Sequence, residues 1–108
     1  MNKDTVSRYN AVSEVLKAVA HPKRLMIVEA LSEKTRCVSE LTEIVGLDTS
    51  TVSKHLALMK SAGIVGCDRI GNQVFYNLRV PCILQFIGCI ESVILDEAEE
   101  KMRIIKRN

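Results

Sequence analysis

Gly46-Leu47-Asp48-Thr49-Ser50-Thr51-Val52-Ser53-Lys54-His55-Leu56-Ala57-Leu58-Met59-Lys60-Ser61-Ala62-Gly63 carries the strongest structural signal in this chain. Gly46 suits the end of one helix, because a left-handed residue is tolerated best without a side chain. Asp48 is well placed to cap the next, since its carboxylate can accept from the unpaired N–H groups of the first turn. Val52, Leu56 and Met59 recur at helical spacing and form the buried face of that second helix, which Gly63 ends. Its opening turns hold Thr49, Ser50, Thr51, Ser53, Lys54 and His55. Small hydroxyls with a base and an imidazole suit a helix end pushed into the major groove of DNA.

Upstream, Val12, Val15, Leu16 and Val19 form one stripe of a first helix near residues 5–19. His21-Pro22 interrupts it, and Pro22 fits the first turn of a second helix that runs to about Leu31. Residues 32–36 read as a polar connector, and Val38, Leu41, Ile44 and Val45 as a third helix. Downstream the periodicity changes. Ile64 to Arg69 and Gln73 to Leu78 are β-rich, with Gly71-Asn72 between them as a two-residue hairpin turn. Pro81 sits where a last helix would begin, and Ile83, Ile87, Ile90 and Ile94 carry it towards Lys106.

The expected architecture is therefore mostly α with a small β-hairpin, in the order α-α-α-α-β-β-α, as a single domain over residues 1–108. A helix pair followed by a hairpin is the layout of a winged helix-turn-helix. The second helix of the pair reads bases, and the hairpin contacts phosphate or the minor groove. Arg69, Asn72 and Gln73 at the hairpin tip carry suitable donors. The chain is 47% apolar with a net charge of +2, so it folds, but bulk charge does not announce nucleic acid. Residues 1–90 hold 11 bases against 8 acids, so any basic footprint is local. No signal peptide and no apolar run of membrane length is visible, and the cytoplasm is the default expectation. Four cysteines there read as thiols, metal ligands or buried residues before they read as disulfides.

Three motifs in unbroken order give a resemblance. Ala20-His21-Pro22-Lys23-Arg24-Leu25-Met26-Ile27-Val28 looks like the opening signature of the ArsR/SmtB family of metal-responsive repressors. Thr49 to Leu56 followed by Ala62-Gly63-Ile64-Val65 resembles that family's recognition helix and first strand, and Gly71 to Leu78 its wing. The resemblance covers about residues 12–95. It implies a homodimer joined by the first and last helices, bound to double-stranded operator DNA and released when an effector binds. It implies no obligatory cofactor.

It also points to the cysteines. Many family members carry Cys-Val-Cys-Asp/Glu-Leu at the start of the third helix; here Cys37-Val38-Ser39-Glu40-Leu41 keeps the first thiol and replaces the second by Ser39. Cys37 also lies at the positive end of that helix, which favours a thiolate. Cys82 and Cys89 share a stripe of the last helix with Phe86 and Val93. Seven residues of helix separate their Cα atoms by roughly 10 Å, too far for a disulfide within one helix. Across a dimer axis they could meet, or converge with Cys37 on a soft ion. The family's hard-ligand zinc site on this helix is not reproduced: Val80 and Val93 fall where an Asp and a His would be, although Asp96 matches a Glu. Cys67 has no partner in the pattern and reads as structural.

These residues leave two sensing expectations. Cys37, Cys82 and Cys89 bind a thiophilic metal or metalloid of the arsenite, cadmium, lead or zinc class, or the same thiols respond to oxidation or persulfidation. A third reading makes all four cysteines small buried hydrophobes. His55 is open between a DNA contact and a hydrogen-bonded core residue. Lys23 and Arg24 are open between a solvated face and phosphate contacts, and His21 reads as a cap or packing residue. No nucleotide-binding glycine loop, His-Glu-x-x-His or supported Ser/His/Asp set points to an enzyme. A winged helix that docks protein instead of DNA is the remaining alternative, against which Lys54 and Arg69 argue.

Overall fold

The computed structural model describes residues 1–107; Asn108, the last residue of the expected domain, lies outside them. Helix α1 spans Lys3–Val19, capped by Asn2, whose Oδ1 accepts from the Thr5 N–H at 2.8 Å. Helix α2 spans Pro22–Glu33 and is capped by His21, whose Nδ1 accepts from the Lys23 N–H at 3.0 Å. That is the structural role expected of His21. Strand β1, Arg36–Cys37, precedes α3, Val38–Val45, and α4, Thr49–Ser61. Strands β2, Val65–Ile70, and β3, Gln73–Leu78, form the hairpin, and α5 runs Ile83–Arg107.

Strand β1 corrects the expected order. The three strands make an antiparallel sheet in the order β1-β3-β2, with Arg36 opposite Tyr76 and Cys37 opposite Phe75. Two residues are too few to show an alternating pattern, and Arg36 reads as connector because it is charged. Its guanidinium is nevertheless drawn in. Nε donates to the Ala30 carbonyl at 2.9 Å and Nη2 to Glu33 at 2.8 Å. Helix ends shift by the usual margins. α1 starts before residue 5, α2 outlasts Leu31, and Pro81-Cys82 form a turn ahead of α5 instead of opening it.

The hairpin matches its expected register, from Val65 opposite Leu78 to Ile70 opposite Gln73. Gly71 takes a positive φ of 63° at the turn, the conformation a two-residue hairpin loop demands of its first residue. The core lies between α2, α3, α4 and the root of the hairpin, where Ile27, Leu41, Leu56, Met59 and Ile64 are fully buried.

Helix α5 departs from this scheme. Ile83, Leu84 and Ile87 pack against the core, but none of its 25 residues is fully buried. Val93, Ile94 and Leu95 stand at least 60% exposed, and Met102, Ile104 and Ile105 follow. On α1, Val6, Tyr9, Val12 and Leu16 are exposed as well. The radius of gyration is 17.6 Å, against about 13 Å for a compact chain of this length. Two amphipathic helices thus project from a small core with their apolar faces uncovered.

Candidate nucleic-acid interface

The turn between α3 and α4 is built as its residues require. Gly46 closes α3 at φ 70°, and Asp48 accepts from the Thr51 N–H at 2.8 Å and from the Ser50 hydroxyl at 3.3 Å. Hydrogen bonds from Thr51, then Ser50, and the charge of Lys54 hold the Asp48 carboxyl below the usual carboxylate range. Val52, Leu56 and Met59 pin α4 to the core. Because they hold one side of the helix, Thr49, Ser50, Ser53 and Lys54 are left exposed on the opposite face. Thr51 is half-buried next to the cap. Arg69, Asn72 and Gln73 are exposed at the end of the hairpin. The result is a helix start rich in hydroxyls and one ammonium, with a polar-tipped wing in the same chain.

His55 does not belong to that face. It is half-buried, its Nδ1 accepts from Arg24 Nε at 3.0 Å, and its ring centroid lies 4.7 Å from that of His21. That bond is what the interior reading of His55 expects. Burial, then the charges of Arg24 and His21, push its imidazole below the ordinary range. Arg24 and Lys23 are absorbed too. Arg24 Nη1 reaches the Ala18 carbonyl at 3.5 Å, and Lys23 Nζ donates to the Val45 carbonyl, the last residue of α3, at 2.6 Å. Both work inside the protomer, where the sequence offered a solvated face or phosphate.

The cysteines are all free. Cys37 is buried at the start of α3. Its N–H donates to Glu40 Oε1 at 3.2 Å, its Sγ donates to the same oxygen at 3.4 Å, and Ser39 Oγ lies 3.2 Å from the sulfur. Those bonds from Cys37, followed by the charges of Lys34 and Arg36, hold the Glu40 carboxyl below its usual range. Cys67 is half-buried on β2 beside Lys60, whose ammonium is held above its ordinary range by hydrogen bonding to the Cys67 side chain. Cys82 and Cys89 are exposed.

The structure does not bring Cys37, Cys82 and Cys89 together in one protomer. Among the described residues, no three His, Cys, Asp or Glu side chains lie close enough to hold a metal ion. The reason is topological. Strand β1 ties buried Cys37 to β3 and α3, whereas Cys82, expected on the last helix, lies in the turn ahead of α5, and Cys89 is exposed on α5 itself. A soft-ion site of these three ligands does not fit a single protomer.

Sequence reasoning missed two elements of this region. Arg24, open in the sequence between a solvated face and phosphate, instead binds His55. Glu40 was read only as part of a cysteine motif, although its place three residues after Cys37 is the spacing of a reciprocal helix cap.

Comparison with known proteins fits this geometry. Residues 21–66 match the family described as "Bacterial regulatory protein, arsR family". An HTH-type transcriptional regulator of Mycobacterium tuberculosis is 31% identical over 99 residues, covering 91% of this chain and 87% of that one. The chain belongs to the arsR family. This arsR-family protein is therefore a DNA-binding transcriptional regulator and not an enzyme. The crystal structure of the Mycobacterium tuberculosis regulator superposes with a TM-score of 0.75 at 33% identity, over 87% of this chain and 95% of that one. The biofilm growth-associated repressor of Xylella fastidiosa is 33% identical over 99 residues, 92% of this chain and 85% of that one. The crystal structure of the Xylella fastidiosa repressor BigR gives a TM-score of 0.70 at 33% identity, over 86% and 96% of the two chains. A homodimeric winged helix-turn-helix DNA-binding domain of Mycobacterium bovis, 24% identical, shares the fold with a TM-score of 0.77 over 93% of each chain. No helix among the described residues is long and apolar enough to cross a membrane.

Proposed function

We propose that this arsR-family regulator is a homodimeric repressor that grips duplex operator DNA with α4 and the wing and lets go when its thiols are engaged. One observation carries the reading. The exposed Thr49, Ser50, Ser53 and Lys54 face belongs to a domain whose α1 and α5 leave long apolar faces uncovered. Exposed apolar patches of that kind mark association surfaces. A second copy related by a two-fold axis would cover them and present two recognition helices. Such a dimer favours an inverted repeat with half-sites about one helical turn apart. The homodimeric state of the Mycobacterium bovis domain supports the same assembly.

Phosphate contacts by Lys54, Arg69 and Gln73 would position the dimer, and the hydroxyls of Thr49, Ser50 and Ser53 would meet base edges. Thr51 is half-buried beside the cap, and Asn72 is exposed in the turn of the wing. Selection of duplexes from a random pool, with the size of the protein measured by sedimentation, tests this directly. Enrichment of an inverted repeat by a dimer is the expected result. A monomer that enriches nothing at moderate salt overturns it.

For the effector, a thiophilic ion of the arsenite, cadmium, lead or zinc class requires ligands from both copies, since one protomer gathers none of the expected sites. Cys82 and Cys89 are the accessible thiols for that. Thiol oxidation or persulfidation is the second reading. It needs no converging ligands, and Cys82 and Cys89 are exposed to an oxidant. A soft ion that releases DNA under strong reductant supports the first, and release by oxidant alone the second.

A further inference from the structure

The region around His55 has no part in the DNA surface or in the thiols, yet it joins the recognition helix to the rest of the domain. Each of its imidazoles accepts a hydrogen bond through Nδ1. His21 takes one from the Lys23 N–H and His55 one from Arg24 Nε, both at 3.0 Å. A ring nitrogen that accepts carries no proton, so both neutral rings hold theirs on Nε2. We propose that Arg24, His55 and His21 form a proton-sensitive clasp that positions α4, so that acidification weakens specific operator binding. The role in binding rests on the operator reading above; the clasp itself does not.

The bond from Arg24 joins α2 to α4, and its Nη1 extends the link to the Ala18 carbonyl at the end of α1. Protonating His55 at Nδ1 turns its acceptor into a donor that faces a donor. The Arg24 bond is then lost, and an imidazolium stands beside a guanidinium and a second imidazole 4.7 Å away. The surroundings offer no relief. From α2 the charged neighbours are Arg24 and Lys23, and Lys23 is already committed to the end of α3. From α1, Lys17 and Glu14 line a hollow with Arg24, and Glu14 is paired with Lys17 at 3.5 Å. On α4 itself the exposed Lys54 precedes His55 in the chain. Among the described residues no carboxylate bonds to Arg24 or to either ring.

The sign follows from the direction of the His55 shift, which burial and these cations both drive downward. A ring held neutral in the fold contributes stability that is complete above the unfolded value, about 6.5 for an ordinary imidazole. That contribution is lost as pH falls below it and through the lowered folded value. Added positive charge has the opposite effect on phosphate, strengthening non-specific attraction. The clasp is therefore read in the preference for specific over scrambled DNA, not in affinity alone.

The chain has only two histidines, so untagged protein gives two imidazole signals in nitrogen-detected NMR. The expected result is an Nε2–H tautomer for both rings and a His55 midpoint below that of an unstructured histidine peptide. An Nδ1–H tautomer for His55, or a midpoint at or above the peptide's, overturns the proposal. The binding arm uses a short duplex selected from a random pool at neutral pH, beside its scrambled version. From about pH 6.5, the value of an ordinary imidazole, downward through the lowered His55 value, the preference of the wild type should fall. The fall is up to about tenfold per pH unit for one linked proton. His55→Gln keeps an acceptor for Arg24 but cannot titrate, and its preference should stay flat; an unchanged slope overturns the clasp. If no duplex is selected at all, the operator reading fails on its own. The clasp is then judged by the pH dependence of thermal unfolding, which His55→Gln should flatten, and an unflattened curve overturns it.

Discussion

Replacing Ile94 by Glu should split the dimer while leaving each domain folded. Ile94 is 63% exposed in the single chain and lies beyond Ile83, Leu84 and Ile87, the α5 residues that pack against the core. Fully burying an isoleucine side chain is worth about 1.5–3 kcal/mol. The fraction still exposed therefore stands for about 1–2 kcal/mol per copy, and two-fold symmetry counts it twice. Losing about 2–4 kcal/mol weakens self-association by roughly 30- to 700-fold. A carboxylate forced into the same contact adds a desolvation cost, so this range is a floor. Sedimentation equilibrium over a concentration series reads the dimer constant. Circular dichroism checks that helix content is kept, and operator affinity should collapse along with the dimer. If Ile94→Glu associates as tightly as the wild type, the uncovered stripe on α5 is not the interface. The two-fold argument for an inverted repeat then falls with it.

Other substitutions separate folding, contact and sensing. Leu56→Ala opens the fully buried side of α4 and should cost about 2–5 kcal/mol in chemical unfolding; a loss well under 1 kcal/mol would mean that α4 is not pinned where described. Lys54→Ala and Arg69→Ala should leave unfolding unchanged, weaken DNA binding, and each lower the salt slope of the dimer by about 1.8, about 0.9 for each of the two phosphates released; an unchanged slope removes that residue from the interface. Ser50 or Ser53 changed to a bulky residue should abolish sequence preference with the fold intact, and undiminished preference would assign base reading to another element. Replacing Cys37, Cys82 and Cys89 together by Ser should abolish the response to soft ions and to oxidants. A coupling of about 1–3 kcal/mol, or roughly 5- to 150-fold in operator affinity, is the response at stake. A normal response in that variant would reduce the thiols to packing.

Much of this molecule is written locally. The Gly46 stop, the Asp48 cap, the Val52-Leu56-Met59 stripe and the Gly71 turn each depend on neighbours within a few residues, so their residue types alone specified helix, turn and hairpin. The exposed face of α4 followed from the same periodicity, because a stripe that is buried fixes which side is not. Strand β1 could not be found that way. Arg36 and Cys37 become a strand only because β3 lies alongside, its paired residues Tyr76 and Phe75 far along the chain. That pairing, with the Glu40 cap, also removed Cys37 from the company of Cys82 and Cys89, which no spacing along the sequence could reveal. The fates of Arg24 and His55 were equally distant matters. The sequence leaves each open between a DNA contact and another role, and only the packing of α2 against α4 turned them towards each other. Short-range geometry is encoded in residue type; the partner that satisfies a long polar side chain is chosen by whichever element the fold places within reach.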